Sequence, residues 1–110
     1  MVSRVIMTRF AQKQLSDHLA YLINQFHSPQ AYRSVKEDAK KTRDALLTAA
    51  GILALCEDPD LAALGYRTIH FRNHQYFFVY VVVDDTARID AVYHDLQEYE
   101  NLFKANVLGV

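Results

Sequence analysis

Five histidines, a handful of arginines and one cysteine are the side chains of this chain with the clearest chemical potential. An imidazole titrates close to neutral pH, so His94, His70 and His74 are suited to giving or taking a proton. Arg67 and Arg72 could hold a phosphate through paired N–H donors. Cys56 is alone, which leaves no multi-cysteine zinc site, and no metal site and no cofactor are expected. The plainer readings are on the same residues. His70 and His74 fall where a strand edge and a turn are expected, and Tyr66, Tyr76, Tyr80, Tyr93 and Tyr99 have the alternation of half-buried packing residues with a wet hydroxyl. The basic cluster Lys36, Lys40, Lys41 and Arg43 reads as a solvated helix face.

The elements that must position these residues follow from periodicity. Val2–Thr8 reads as a short strand, with Thr8 as the cap of a helix over Phe10–Phe26 whose apolar stripe is Ala11, Leu15, Leu19, Leu22, Ile23 and Phe26. His27-Ser28-Pro29 is a break, with Ser28 as N-cap and Pro29 as first helical residue. A second helix carries Tyr32, Val35, Ala39, Thr42, Leu46, Ala49 and Leu53 at spacings of three and four, and ends either at Gly51 or at Cys56. The short loop between the two helices predicts an antiparallel hairpin.

Asp58 and Pro59 open one helical turn, Asp60–Leu64, which Gly65 closes. The period then changes to two: Tyr66–Arg72, Gln75–Val83 and Arg88–His94 read as strands joined by short polar turns, an antiparallel meander. The middle strand is apolar on both faces. Helices should cover one side, and the segment Leu96–Val107 or a partner protein the other. The expected fold is a single α+β domain over residues 1–110, β-α-α-β-β-β with a C-terminal helix, its helical hairpin packed on an antiparallel sheet.

Composition narrows the classes. The chain has 110 residues, 51% hydrophobic and 23% charged, with only 3 Gly and 2 Pro, which excludes disordered and collagen-like classes. The charged start does not read as a signal peptide and no run is long enough to span a membrane, so a soluble cytoplasmic protein is expected. Residues 1–56 carry a net +4 and residues 57–110 a net −5, against a total of −1. That balance is far from the strongly basic one of a general nucleic-acid binder.

The order of elements, with particular residues in them, resembles the RelE/ParE superfamily of type II toxin–antitoxin toxins over roughly Ile6 to Phe103. Leu64-Gly65-Tyr66-Arg67-Thr68-Ile69 is similar to the family's entry into the meander. Tyr76-Phe77-Phe78-Val79-Tyr80 is similar to its central strand, and Val92-Tyr93-His94 with Gln97-Glu98-Tyr99-Glu100-Asn101-Leu102 to its closing strand and tail. The resemblance implies a growth-inhibiting, plasmid-stabilising toxin silenced by a cognate antitoxin protein. Its target would be mRNA on the ribosome, cut by a RelE-like endoribonuclease, or DNA gyrase, poisoned without catalysis in the ParE manner. A third reading is an antitoxin-binding member without toxicity.

For the nuclease reading the resemblance assigns His94 as acid or base and Arg67 as phosphate ligand; further candidates for substrate contact are Arg72, which matches no recurrent family position, Tyr93 and Tyr99. It also places Phe77 where many nucleases of the family carry an essential Arg, and Glu57–Leu64 holds three acids and no base where some carry lysines. All three readings expect the middle strand and sheet edge to leave an apolar surface for a partner.

Overall fold

A computed structural model describes residues 2–109. Strand β1 (Arg4–Met7) runs into helix α1 (Arg9–Asn24), followed by α2 (Pro29–Ala49) and the single turn α3 (Pro59–Ala63). Strands β2 (Arg67–His70), β3 (Tyr76–Val83) and β4 (Thr86–His94) come next. The chain closes with α4 (Tyr99–Phe103) and a π-helical turn, Lys104–Leu108.

The expected caps are in place. The Thr8 hydroxyl accepts the Ala11 N–H at 3.2 Å, the Ser28 hydroxyl accepts the Ala31 N–H at 3.1 Å, and one Asp58 carboxylate oxygen accepts the N–H groups of both Asp60 and Leu61. Between α1 and α2 the chain reverses at His27, which adopts the left-handed conformation with φ 51°.

The sheet is mixed, with order β1-β4-β3-β2. The meander β2-β3-β4 is antiparallel as expected, but β1 lies parallel to β4, with Arg4 opposite Thr86 and Met7 opposite Ile89. A parallel neighbour requires a long crossover, and the helical hairpin belongs to the excursion that carries the chain from β1 to the opposite edge of the sheet.

Side chains of β3 alternate between two cores. Phe78 and Tyr80 point to the layer of α1 and α2, where they meet Leu19, Val35, Leu46, Ile89 and Val92. Phe77, Val79 and Val81 point the other way, against Leu61, Tyr66, Tyr93 and Phe103. The second cover is therefore the chain itself. Over most of the middle strand α3, Tyr66 and the C-terminal turns fill that face, while Val83 at its end stays exposed. The most exposed large apolar side chains are Ile52 (83%) and Leu96 (86%).

A β-bulge is what keeps β4 in register with both cores. Val79 pairs with Ala91 and Tyr80 with Ile89, leaving Asp90 as the extra residue. Asp90 is buried, and its carboxylate is satisfied by Arg88 (2.6 and 2.9 Å) and by the Tyr66 hydroxyl (2.7 Å). Burial and this carboxylate push the Tyr66 hydroxyl up to about 12.

Helix α2 stops at Ala49, which resolves the open end of the second helix. The Tyr80 hydroxyl donates to the Ala50 carbonyl at 2.7 Å, and the chain then turns so that Leu55 bridges Arg67 and the Cys56 N–H meets the Tyr66 carbonyl at 2.9 Å. Leu53 still packs on the first core, from outside the helix.

Candidate functional site

Chemistry-bearing side chains gather at the end of the sheet where β2 and β4 finish and β3 begins. Three local arrangements meet there.

The first lies on the helical face. His94 is opposite Tyr76 in the β3–β4 ladder, and their rings meet edge to face at 5.2 Å. His18, on α1, also meets the Tyr76 ring, at 5.1 Å. Burial holds the His18 imidazole below its ordinary value. The neighbouring His94 adds to this, while a hydrogen bond to the Val92 backbone and the charge of Asp17 oppose it. His94 is also fixed locally: its N–H donates to Gln97 Oε1 at 2.8 Å and its Nδ1 accepts the Leu96 N–H at 3.2 Å.

The second ties the β2–β3 turn to α2. Asp38, only 3% exposed, accepts the N–H groups of Arg72 (3.3 Å) and Asn73 (2.9 Å), and its Oδ2 lies 2.7 Å from His74 Nδ1. His74 Nε2 in turn lies 3.2 Å from Ser34 Oγ. Burial alone would raise the Asp38 carboxyl. The hydrogen bonds from His74, Asn73 and Arg72, with the charge of His74, outweigh it and hold the group below the usual carboxylate range. The order Ser–His–Asp is that of an acyl-transfer triad, but Ser34 sits inside α2, where backbone N–H groups bond within the helix and offer no oxyanion hole. The arrangement pins a turn to a helix.

The third is a cavity of about 660 Å³ on the opposite face of the sheet. Its walls include Phe77 and Tyr99, whose rings meet edge to face at 5.0 Å, and it runs past Leu55, Cys56, Thr68 and His70. Glu57, Asp95 and Glu100 contribute carboxylates, and His70 is the sole lining residue that can carry positive charge. His70 Nδ1 lies 3.6 Å from Asp95 Oδ1. Burial raises the Tyr99 hydroxyl, as does its neighbour Cys56, and burial likewise raises the Cys56 thiol, so both stay protonated at neutral pH.

The residues singled out from the sequence are dispersed among these arrangements. Arg67 donates to the Leu53 carbonyl and lies opposite Tyr80, whereas His94 lies opposite Tyr76. Their partners Tyr80 and Tyr76 are four positions apart on β3, about 13 Å along the strand, with Phe78 between them. Arg72 engages Asp38 through its backbone and lines a separate cavity of about 440 Å³ with Lys41 and His70. Tyr93 is 1% exposed, and its hydroxyl has no hydrogen-bond partner among the described residues. Tyr99 does line the main cavity. Phe77 is a buried part of its wall (4% exposed).

Two residues that sequence reasoning passed over belong to this region. His18 continues the α1 stripe at spacing Leu15–His18–Leu22, and Asp38 continues the α2 stripe at Val35–Asp38–Thr42. A polar residue at a core-facing position of a helix was the available signal.

No protein-family model matches the chain, and no curated protein matches it in sequence. Among solved structures, the chain is similar to one titled "Chromosomal ParDE TA system from P. aeruginosa", with a TM-score of 0.68 over 83% of this chain and 94% of that one. The fold is RelE/ParE-like. Identity over the match is 17%, so the likeness is one of fold. Among the described residues no helix is long and apolar enough to cross a membrane.

Proposed function

We propose that this chain is the toxin of a type II toxin–antitoxin pair, a cytoplasmic protein held silent by a cognate antitoxin, and that it inhibits growth by binding DNA gyrase in the ParE manner. The observation that carries the choice of target is the charge of the main cavity. Cleavage of RNA passes through a phosphorane whose added negative charge needs cations beside it. Here three carboxylates and one imidazole line the cavity, and Phe77 fills the arginine position. Arg67, the assigned phosphate ligand, is engaged with the Leu53 carbonyl. The fold likeness to a chain from a ParDE system supports the toxin–antitoxin part of the reading.

One observation favours the ribosome-dependent endoribonuclease instead. His94 stands with a second imidazole, His18, on the same ring of Tyr76, and two imidazoles can serve as acid and base in transesterification. Pulse-labelling after tightly controlled expression separates the readings. Thymidine incorporation failing first is the expected result. Methionine incorporation failing first, with loss of the effect in His94→Ala, would move the target to the ribosome. No effect on either would leave an antitoxin-binding protein without toxicity.

A further inference from the structure

We infer that the cavity between α2 and the turn after β2 binds a dianionic phosphate group, carried on a small phosphomonoester. The inference goes beyond the toxin reading and stands whichever target that reading names.

This cavity, about 440 Å³, lies on the helical side of the sheet, away from the acidic groove. Its volume falls in the range of small-molecule pockets, roughly 300–1,000 Å³. Helix α2 supplies Asp38, Lys41 and Ala45 from one face, at spacings of three and four. Strand β2 supplies Ile69, and the turn supplies Arg72. The Asp38 carboxylate is already engaged by the N–H groups of Arg72 and Asn73 and by the His74 imidazole, and it is buried. His70 also lines the cavity, but its imidazole is turned to the other face, against Phe77 and 3.6 Å from Asp95.

The cations of this cavity are the groups that lack a partner. Arg72 takes part in no ion pair among the described residues. Lys41 has only Glu37, one turn earlier at 4.0 Å, and both side chains are mostly open to solvent, where such a pair holds little. Other bases of the fold are committed: Arg88 to Asp90, Lys104 to Asp58 and Asp60, and Arg67 to the Leu53 carbonyl. Two cations lining one cavity repel each other until an anion enters. A phosphate accepts charge-assisted hydrogen bonds from both, with paired N–H donors from the guanidinium. A monoester carries close to two negative charges at neutral pH and a diester one, so the pair favours a monoester over a nucleic-acid backbone. Ile69 and Ala45 give the rest of the ligand an apolar wall.

The test uses the full chain, with AMP, adenosine, cyclic AMP and inorganic phosphate as probes in isothermal titration calorimetry. AMP should bind about tenfold more tightly than adenosine or cyclic AMP, and its affinity should fall as salt rises. Lys41→Met and Arg72→Met, each with an unchanged urea midpoint, should lose about tenfold for AMP. Lys40→Met, a neighbouring exposed base outside the cavity, should match wild type. In NMR titrations the amides of Ala45 and Asn73 should shift with AMP, and those of Glu57 and Tyr99 in the acidic groove should not. Inorganic phosphate binding as tightly as AMP, with the same losses in the two variants, would uphold the site and make the free ion its ligand. The inference would be overturned by equal binding of adenosine or cyclic AMP, by undiminished binding in both cavity variants, or by an equal loss in Lys40→Met. Shifts centred on the acidic groove, or no saturable binding of AMP or phosphate up to about 10 mM, would overturn it as well.

Discussion

At the end of the sheet where β2 and β4 finish, adjacent residues of β3 meet opposite fates. Tyr76 turns to the helical face, where it is half-buried against His18 and His94. Phe77 turns to the other face and forms the wall of an open groove beside Tyr99. The difference lies in what covers each face. Helix α1 is 16 residues long, and its stripe reaches the strand ends. The opposite cover is a five-residue helix and a five-residue π turn, anchored by Phe103, which is wholly buried. The long amphipathic helix packs along its sheet face, whereas two short turns cover the centre of the other face and leave a groove at its rim. An open groove arises here from a cover that ends early.

The sharpest way to break this comparison is to truncate one residue on each face. Phe78→Ala, in the helical core, should cost about 3–5 kcal/mol in urea denaturation, as a wholly buried aromatic does when it leaves a cavity. Tyr99→Ala, at the groove, should cost only about 1–2 kcal/mol, since its ring is half-buried and its neighbours stay in place. Equal losses would mean that the groove side is as closed as the helical side.

Between these two in size lies Asp38→Ala, which leaves two turn N–H groups and His74 without their acceptor. A loss of about 2–3 kcal/mol at neutral pH is expected. Because the folded-state carboxyl is held below its unfolded value of about 3.9, its stabilisation is complete above that pH and declines as pH falls through the folded value. The gap between wild type and variant in urea should therefore narrow at pH 3.

The smallest expected effect is a slope. His18 has a folded-state value held below its unfolded value of about 6.5, so the unfolded chain binds the proton first and stability falls as pH drops below that point. His18→Gln should flatten stability against pH in the window just below 6.5. An unchanged slope would show that the histidine on the helical face is less enclosed than its contacts with Tyr76 indicate.

Much of the fold was legible because its signals are local. The caps Thr8, Ser28 and Asp58, the β2–β4 meander and the apolar-on-both-faces β3 all follow from spacing and turn chemistry. The parallel docking of β1 was not legible, since pairing across more than 80 residues leaves no local mark. The end of α2 was hidden because Leu53 keeps the helical spacing while packing from an extended segment.

The candidate site was legible only in pieces. Period two places Tyr93 and His94 on opposite faces, but the distance between Arg67 and His94 depends on the register of both strands against β3. His18 and Asp38 stood at core-facing spacings, and they needed the tertiary fold to meet Tyr76 and His74. The acidity of the groove was present in the −5 of the second half, but its concentration at one rim required Glu57 to be folded beside Asp95 and Glu100.

The central claim, a toxin that binds a protein target and does not cut RNA, is tested most directly with purified components. The chain is incubated in parallel with DNA gyrase, plasmid and ATP, and with ribosomes translating a defined mRNA. The account predicts arrested supercoiling with accumulation of cleaved plasmid, and an mRNA that stays intact. Cleavage of the ribosome-bound mRNA that disappears in His94→Ala, with gyrase unaffected, would contradict it.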